Sequence, residues 1–299
     1  ALAASAPLVA QDASEWDSAR ADMVARAPTG MAQAISRWEQ LTRTDNLGFE
    51  AYADFVMANP GFPREDLLRK RAEKALADQP LLPGRVVAYF DQFPPLTNQG
   101  RARYALALSA LQRPESFEAA RAAWRGGPMT GQSELFIDGV YGTRFDGRDH
   151  AERMDALLWN DALDQAGRQL LRLPADEQPL YRARLGILTG QLEQTGSMEA
   201  PPQAMRDPGF VYDLARQYRK TGQTSRAAEL LATRPAFERP ARDPERFVGE
   251  MLRVARSASA SQATRIAGRI DDLFAPGADI SRMSFDLRDD YTSLMWLGG

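Results

Sequence analysis

The amino-acid sequence predicts an all-α protein, in which short helices pack in TPR-like pairs. The pairs are expected to stack into an α-solenoid, a superhelix shaped as a horseshoe or ring. Apolar residues recur at helical spacing along most of the chain, and proline and glycine lie almost entirely between these stretches. One helix–turn–helix outline also occurs several times. Two short amphipathic helices cannot bury both apolar faces alone, so each pair is expected to stack on another.

The clearest copy of this outline runs from Asp207 to Pro235. Its first half places one set of apolar residues on a single helical face: Phe210, Val211, Leu214, Ala215 and Tyr218. Gly222 interrupts the pattern, because glycine readily adopts the backbone angles that end a helix. A second apolar face follows, formed by Ala227, Ala228, Leu230 and Leu231. Thr224 or Ser225 is expected to cap this second helix.

Two earlier segments repeat the outline. In each of them, a short break separates the apolar residues of a first helix from those of a second. In the first segment the two sets are Leu106, Leu108 and Leu111, then Phe117, Ala123 and Trp124. In the second segment they are Leu157, Leu158 and Trp159, then Leu163, Leu170 and Leu171. Each second helix carries a small pair: Ala119-Ala120, Ala166-Gly167 or Ala227-Ala228. The unequal spacing of these pairs indicates irregular helix pairs and not a strict tetratricopeptide array.

Two regions are predicted along the chain. Residues 1–30 are expected to form a partly disordered N-terminal extension with a possible short helix over 14–25. Residues 31–299 are expected to form the superhelical domain. The first half predicts helices around these ranges: 31–41, 49–56, 65–76, 86–93, 101–111 and 116–124. Residues 133–141 fit a strand or a helix, and a helix is favoured because no partner strand of similar quality lies nearby.

In the second half, Asp146 or Asp149 is expected to cap the next helix. Asp243-Pro244-Glu245 combines a capping acid, proline at the first helical position and an acid in the first turn, which predicts a helix start. Helices are also expected over 180–192, 257–270 and 279–297. The apolar run from Tyr291 to Leu297 predicts either a further neighbouring element, with the native chain continuing past Gly299, or a last helix docked on the body.

Composition narrows the function classes. The net charge is −3, which gives no global attraction to nucleic acid or to an anionic membrane. The chain has no cysteine, so thiolate catalysis, disulfides and cysteine-ligated zinc are excluded. No apolar run is long enough to cross a bilayer. The opening Ala1 to Ala6 is consistent either with the remnant of a cleaved export signal or with an alanine-rich tail.

Several segments resemble one known family. They are Phe55 to Pro63 followed by Leu67-Leu68-Arg69, Ala119 to Gly127, Leu135-Phe136, Asp155 to Pro174, and Asp207 to Leu231 with its Tyr-Arg-Lys-Thr-Gly-Gln turn. In this order, over about residues 31–299, they are similar to the N-terminal helical region of soluble lytic murein transglycosylases.

The resemblance implies a periplasmic protein of peptidoglycan metabolism. The family cleaves the bond between N-acetylmuramic acid and N-acetylglucosamine and forms a 1,6-anhydro product, using one glutamate and neither metal nor cofactor. A superhelix precedes a lysozyme-like C-terminal catalytic domain. The Gly-Leu-Met-Gln and Ala-Tyr-Asn-Ala-Gly runs of that domain do not occur in this chain. We therefore expect a non-catalytic superhelix, exported to the periplasm, whose partners are glycan strands and its own catalytic domain.

The alternative is a stand-alone periplasmic helical-repeat adaptor that binds a protein partner. A self-contained hydrolase is the least favoured, because no catalytic constellation is found. Glu115-Ser116 matches a Glu-Ser pair, but the preceding Arg113-Pro114 predicts a helix start. His150, the only histidine, lies beside Asp149 and Glu152, which are expected to face solvent, and a surface or capping role is expected. No catalytic or metal-binding residue is therefore predicted, and the substrate-binding residues stay unassigned.

Other residue groups also favour structural roles. Adjacent acids in Asp271-Asp272 and Asp289-Asp290 diverge on a helix and cannot converge on one glycosidic oxygen. Tryptophans at helical spacing are expected in the core: Trp38, Trp124, Trp159 and Trp296. The many arginines of the second half fit either a surface that meets peptide-stem carboxylates or salt bridges along single helices: Arg216, Arg219, Arg226, Arg242, Arg246, Arg253 and Arg256.

Overall fold

A computed structural model describes residues 29–77, 79, 81–191 and 199–299. Within these residues the regular structure consists of fifteen α-helices and five short 3₁₀ segments, with no strand. The all-α prediction is confirmed. The predicted helix over 14–25, the Ala1 to Ala6 segment and the end of the predicted 180–192 helix lie outside the described residues.

Backbone contacts divide the chain into two compact units, Ala1–Ala119 and Ala120–Gly299. The helices that begin in the first unit are α1 Thr29–Arg43, α2 Phe49–Ala58, α3 Glu65–Ala75, α4 Pro83–Gln92, α5 Asn98–Ala110 and α6 Ser116–Arg125. In this unit α2 packs against α3 and α4 against α5, while α3 also contacts α5. The core is rich in aromatic rings, and Phe49 meets Tyr89 edge-on with ring centroids 5.2 Å apart.

The second unit contains the remaining helices: α7 Gly131–Tyr141, α8 Gly147–Trp159, α9 Leu163–Gln169, α10 Gln178–Leu188, α11 Pro208–Lys220, α12 Thr224–Thr233, α13 Pro244–Ala255, α14 Ala260–Ala267 and α15 Phe285–Gly298. Short 3₁₀ segments cover Gly142–Arg144, Leu170–Arg172, Pro202–Arg206, Asp271–Leu273 and Ile280–Arg282. Neighbouring helices pack in pairs, and contacts also join second neighbours: α8 with α10, α11 with α13, α12 with α14, and α13 with α15.

Several helix starts were correctly predicted from capping residues. The Asp243 side chain accepts a backbone N–H bond at the start of α13, ahead of Pro244, as predicted. Asp207 caps α11 in the same way, although no cap was predicted there. Asp146 and Asp149 form a reciprocal capping box at the start of α8, so both candidates contribute. Residues 131–141 are helical, as favoured, and the Thr130 hydroxyl caps this helix.

The α11–α12 pair confirms the clearest predicted hairpin. Gly222 has φ +77°, the left-handed conformation expected at a helix end. The expected cap of α12 by Thr224 or Ser225 is wrong, because the cap position is Gln223 and its side chain makes no capping bond. The Gln223 N–H donates to the Tyr218 carbonyl at 2.7 Å, which closes the turn early and places Thr224 inside the helix.

Several apolar residues of the predicted helix patterns are exposed, among them Leu111, at 44%. Leu171 is 81% exposed, because α9 ends at Gln169 and a 3₁₀ segment turns the chain. Trp296 is 86% exposed, whereas Leu294 of the same helix is buried. Positions two apart on a helix point in nearly opposite directions, so α15 docks on α13 and α14 through one face only. Trp124 and Trp159 are buried as predicted, and Trp38 is half-buried.

None of the helices in the described ranges is both long enough and apolar enough to cross a membrane.

Candidate functional site

Glu115 does not have the environment of a catalytic acid. Its side chain is 53% exposed and forms a 3.0 Å ion pair with Arg113, immediately before α6. The bond from Arg113 lowers the pKa of Glu115, which is the opposite of what a general acid needs. The structure thus agrees with the interpretation of Glu115 as a residue at a helix start.

His150 is more enclosed than its expected surface role implies. Its ring lies edge-on to Trp124, at 6.0 Å between ring centroids, and its Nδ1 is 3.1 Å from the Gln169 amide nitrogen. The flanking Asp149 was expected to face solvent, but it is buried and ion-paired with Arg125. Asp149 is buried because its carboxylate completes the capping box of α8. The part of the chain described here contains no cluster of acids and histidine suited to a metal ion.

The adjacent carboxylates of Asp271 and Asp272 diverge as predicted. Asp271 accepts a hydrogen bond from the Tyr291 hydroxyl at 2.8 Å, whereas Asp272 accepts two hydrogen bonds from Arg234 at 2.7 and 2.8 Å. These two acids tie their segment to α15 and to the end of α12. They therefore do not converge on a common ligand position.

The arginines of the second half mostly pair between helices. Arg216 of α11 binds Asp161 through two bonds of 2.7 and 2.9 Å. Arg219 of the same helix binds Glu250 of α13, also through two bonds. Pairing along a single helix is seen for Arg253, which lies 3.3 Å from Glu250. These arginines therefore join elements that are distant in sequence. The two predicted alternatives, a surface that meets peptide-stem carboxylates and salt bridges along single helices, did not include this arrangement.

A surface groove between α7 and α9 brings several chemically active groups together. We call it the α7–α9 groove. It has a cavity volume of about 470 Å³, and its lining includes Trp124, Glu134, Leu135, Asp138, Arg168, Gln169 and Arg172. A larger depression of about 610 Å³ on α1 is lined by that helix and the residues just after it. The α7–α9 groove is lined by charged groups from both of its walls, whereas the α1 depression is lined by one helix and the residues just after it, so the α7–α9 groove is the better candidate.

Two acid–base pairs cross this groove. Arg168 lies 3.3 Å from Glu134, and Arg172 holds both oxygens of Asp138, one of them at 2.6 Å. Glu134 and Asp138 are one turn apart on α7, and Arg168 and Arg172 are one turn apart on the opposite wall. The bond from Arg172 lowers the pKa of Asp138, so this carboxylate is ionised at neutral pH.

Trp124 and Arg153 support the groove from beneath. The Arg153 guanidinium lies 4.0 Å from the centre of the Trp124 ring and is fully buried. It also lies 3.2 Å from Glu134 and donates to the Gly127 carbonyl at 2.9 Å. The Trp124 indole N–H is buried and has no hydrogen-bond partner. This wall therefore carries an unsatisfied donor, which is uncommon in folded proteins.

A second, largely buried ion cluster lies in the same unit, with only Arg239 substantially exposed, at 42%. Arg184 of α10 donates to Asp155 of α8 at 2.5 Å and to Asp213 of α11 at 2.8 Å. Arg239 bonds both Asp155, at 3.2 Å, and Asp207, at 2.8 Å. We call these five side chains the Arg184 cluster. Because it joins three helices and a loop, it ties together elements of the second unit that are distant in sequence.

The pKa values of two acids in this cluster are shifted in opposite directions. Burial and the neighbouring carboxylates of Asp155 and Asp207 raise the pKa of Asp213 to about 7, against the attraction of Arg184. Burial also acts to raise the pKa of Asp155, but Arg184 and Arg239 together outweigh it and lower that pKa. Asp213 is therefore the acid of the cluster that takes up a proton near neutral pH.

Sequence reasoning missed both the groove and the cluster, although one signal was present. Asp213 interrupts a run in which each residue from Phe210 to Ala215 is buried. An acid inside such a run predicts a buried basic partner. The partner's position in the chain cannot be read from that run.

The fold and these sites define an all-α protein of packed helix pairs with a charged surface groove and a buried ion cluster. A scan against protein-family models gave no match, and neither did searches of curated proteins and of solved structures.

Proposed function

We propose that this chain is the non-catalytic helical scaffold of a periplasmic lytic transglycosylase, and that it holds peptidoglycan. Its helix pairs form a superhelix in this proposal, and the contacts between second-neighbour helices support that arrangement. The parent reaction is cleavage between N-acetylmuramic acid and N-acetylglucosamine with formation of a 1,6-anhydro ring. The ordered resemblance of the helical segments supports this assignment of the family.

The single observation that carries the non-catalytic role is the state of the buried carboxylates. Each one in the described ranges already accepts hydrogen bonds from arginine or from backbone amides: Glu73, Asp149, Asp155, Asp207, Asp213 and Glu250. A glycosidase acid needs a carboxyl group in a cleft that substrate can reach. Bound and enclosed carboxylates favour a protein that holds its substrate over one that cleaves it.

The α7–α9 groove is the surface at which we place peptidoglycan. It combines the exposed apolar side chain of Leu135 with the exposed guanidinium groups of Arg168 and Arg172, and peptidoglycan offers peptide carboxylates that guanidinium groups bind. The buried Arg153 and the buried Gln169 hold the groove walls in place. A pre-formed site of this kind loses little conformational entropy when a ligand binds.

The test is co-sedimentation of residues 1–299 with purified peptidoglycan sacculi, combined with analysis of the released muropeptides. We expect the protein to sediment with the sacculi and to release no anhydro-muropeptides. The full-length gene product, run alongside, is expected to release them. Failure to sediment would contradict the holding role. Release by residues 1–299 that is lost in Glu115→Gln would show instead that this chain is itself catalytic.

A second candidate, an adaptor for a protein partner, is favoured by one surface feature. Phe285 and Trp296 are 72% and 86% exposed and lie three turns apart on the same side of α15. Exposed aromatic residues are common in protein interfaces. If sacculi are not bound, and Trp296→Ala abolishes a complex formed by the wild-type chain, the adaptor role replaces the scaffold role.

A further inference from the structure

The α7–α9 groove carries an excess of positive charge. Three guanidinium groups, those of Arg153, Arg168 and Arg172, face two carboxylates, those of Glu134 and Asp138. Burial and the nearby Arg172 lower the pKa of His150, so this ring adds no charge at neutral pH. The groove is therefore one negative charge short of balance.

Arg168 is the cation that is least committed to its partner. Glu134 is already neutralised from below by the buried Arg153 at 3.2 Å, and it lies 3.3 Å from Arg168 on its other side. The Arg168 side chain is 62% exposed, so its ion pair is screened and contributes little to stability. An incoming anion can therefore bind this guanidinium without leaving a buried charge unpaired.

The size and lining of the groove restrict the anion further. A volume of about 470 Å³ falls within the usual range for small organic ligands. Leu135 is 76% exposed beside the charged wall and offers an apolar surface next to Arg168. A dianion would exceed the single missing charge and would face Glu134 and Asp138 directly. A monoanion with a small apolar body fits these limits.

We propose that the α7–α9 groove binds the terminal carboxylate of a short peptide, with Arg168 as its principal contact and Arg172 as a second. The guanidinium of Arg168 donates to the carboxylate oxygens, and the last peptide side chain lies against Leu135. Peptide stems of peptidoglycan are the source under the proposed function, on which this assignment of the source rests. The recognition chemistry itself depends only on the groove.

The experiment is isothermal titration calorimetry at low ionic strength, with residues 1–299 and four probes. N-acetyl-alanyl-alanine is the monoanion, its C-terminal amide is the neutral analogue, alanyl-alanine amide is the cation, and inorganic phosphate is the non-peptide anion. We expect a dissociation constant on the order of 1 mM or lower for the monoanion and at least about tenfold weaker binding of the other three.

Two groove variants are expected to change the affinity in opposite directions. Arg168→Gln removes the principal cation, and we expect about tenfold weaker binding of the monoanion. Asp138→Asn releases Arg172 from its carboxylate partner, and we expect several-fold tighter binding. The matched control is Arg182→Gln, the same substitution at an exposed position of α10 outside the groove, with unchanged affinity. Circular dichroism verifies that each variant is folded.

Three outcomes would overturn the proposal: no heat of binding for the monoanion up to about 10 mM, equal binding of the neutral amide or of phosphate, or weaker binding by Asp138→Asn. The result also separates this inference from the proposed function. Sedimentation with sacculi without dipeptide binding refutes the groove assignment alone. Dipeptide binding without sedimentation supports the groove and refutes the peptidoglycan scaffold.

Discussion

The guanidinium of Arg184 donates through Nε to Asp213 Oδ2 at 2.8 Å, and both side chains are almost completely enclosed, at 0% and 1% exposure. The two residues come from α10 and α11, and Asp155 of α8 binds the same guanidinium. With Asp213 ionised, three carboxylates of the cluster face the two guanidinium groups of Arg184 and Arg239. The guanidinium of Arg242 also lies 4.0 Å from Asp155. Among the described residues, Asp213 pairs with Arg184 alone, and burial raises the pKa of Asp213 to about 7.

Replacing Arg184 with methionine is expected to destabilise the second unit strongly. The substitution keeps an extended side chain but leaves Asp155 and Asp213 without their shared cation. Removal of one partner from a buried ion pair costs about 3–5 kcal/mol. Urea unfolding followed by circular dichroism measures the change in the free energy of unfolding.

The matched control for Arg184→Met is Arg216→Met. Arg216 binds Asp161 with similar bond lengths, but its partner is 39% exposed. We expect a loss of about 1 kcal/mol or less for this pair. Equal losses for the two variants would show that burial of the Arg184 cluster has no energetic consequence.

The raised pKa of Asp213 predicts a specific pH dependence of stability. The folded protein keeps a proton on Asp213 up to about pH 7, whereas the unfolded chain releases it near the ordinary value of 3.8. The folded state therefore binds more protons between these values, and the contribution of Asp213 to stability falls as the pH rises through this range.

Asp213→Asn tests this dependence, because it removes the titrating group and keeps the shape of the side chain. We expect the stability of the variant relative to wild type to increase between pH 5 and pH 8 by on the order of 1 kcal/mol or more. Urea titrations at both pH values give the difference. A difference between the two proteins that is constant with pH would refute the assignment.

Gly209 provides a steric test of the same cluster. A Cβ atom at this position of α11 would lie 2.3 Å from the Arg184 guanidinium carbon. The guanidinium is fully buried and ion-paired, so it has no free space into which to move. We expect Gly209→Ala to lower the free energy of unfolding by about 1–3 kcal/mol, despite the higher helix propensity of alanine.

The control for Gly209→Ala is Gly167→Ala. Gly167 lies in α9 and is exposed, and a Cβ atom added there would meet no neighbouring side chain within 4 Å. Here alanine is expected to stabilise the protein by about 0.5–1 kcal/mol. Opposite signs for the two substitutions would identify the space beside Arg184 as the cause.

The helix-pair packing is tested by leucine truncation. Leu231 of α12 is fully buried in the core of the second unit. We expect Leu231→Ala to destabilise by about 2–5 kcal/mol, as is usual for a leucine in a packed core. Leu171→Ala, at a position 81% exposed, is expected to change stability by less than about 0.5 kcal/mol. Thermal melts of both variants, compared with wild type, give the ranking.

Local chemistry explains which parts of the fold were predictable. The cap at Asp243 was predictable because a cap bonds to amides two or three residues away. The same short range made Gly222 recognisable as a helix end. Leu171 and Trp296 were misassigned, because spacing defines a helix face but does not show how far a neighbouring helix covers it.

The candidate groove was outside the reach of these rules. Glu134 and Arg168 are far apart in the sequence, and each is an ordinary charged residue of a helix. Their pairing depends on how α7 and α9 pack, and no local pattern encodes that geometry. The segments that resemble the proposed family contain residues of this groove, among them Trp124 and Leu135, but the resemblance assigned none of them a binding role.

By itself, the sequence determined the all-α class and most of the helix starts. It also determined which face of each clear hairpin is buried. These features follow from hydrogen bonds and periodicity within about one or two helical turns. The tertiary structure alone decided which charges meet. Arg184, Asp155 and Asp213 become one cluster, and Arg168 is left with an incompletely neutralised charge, because helix packing brings together side chains from separate elements and removes some of them from water.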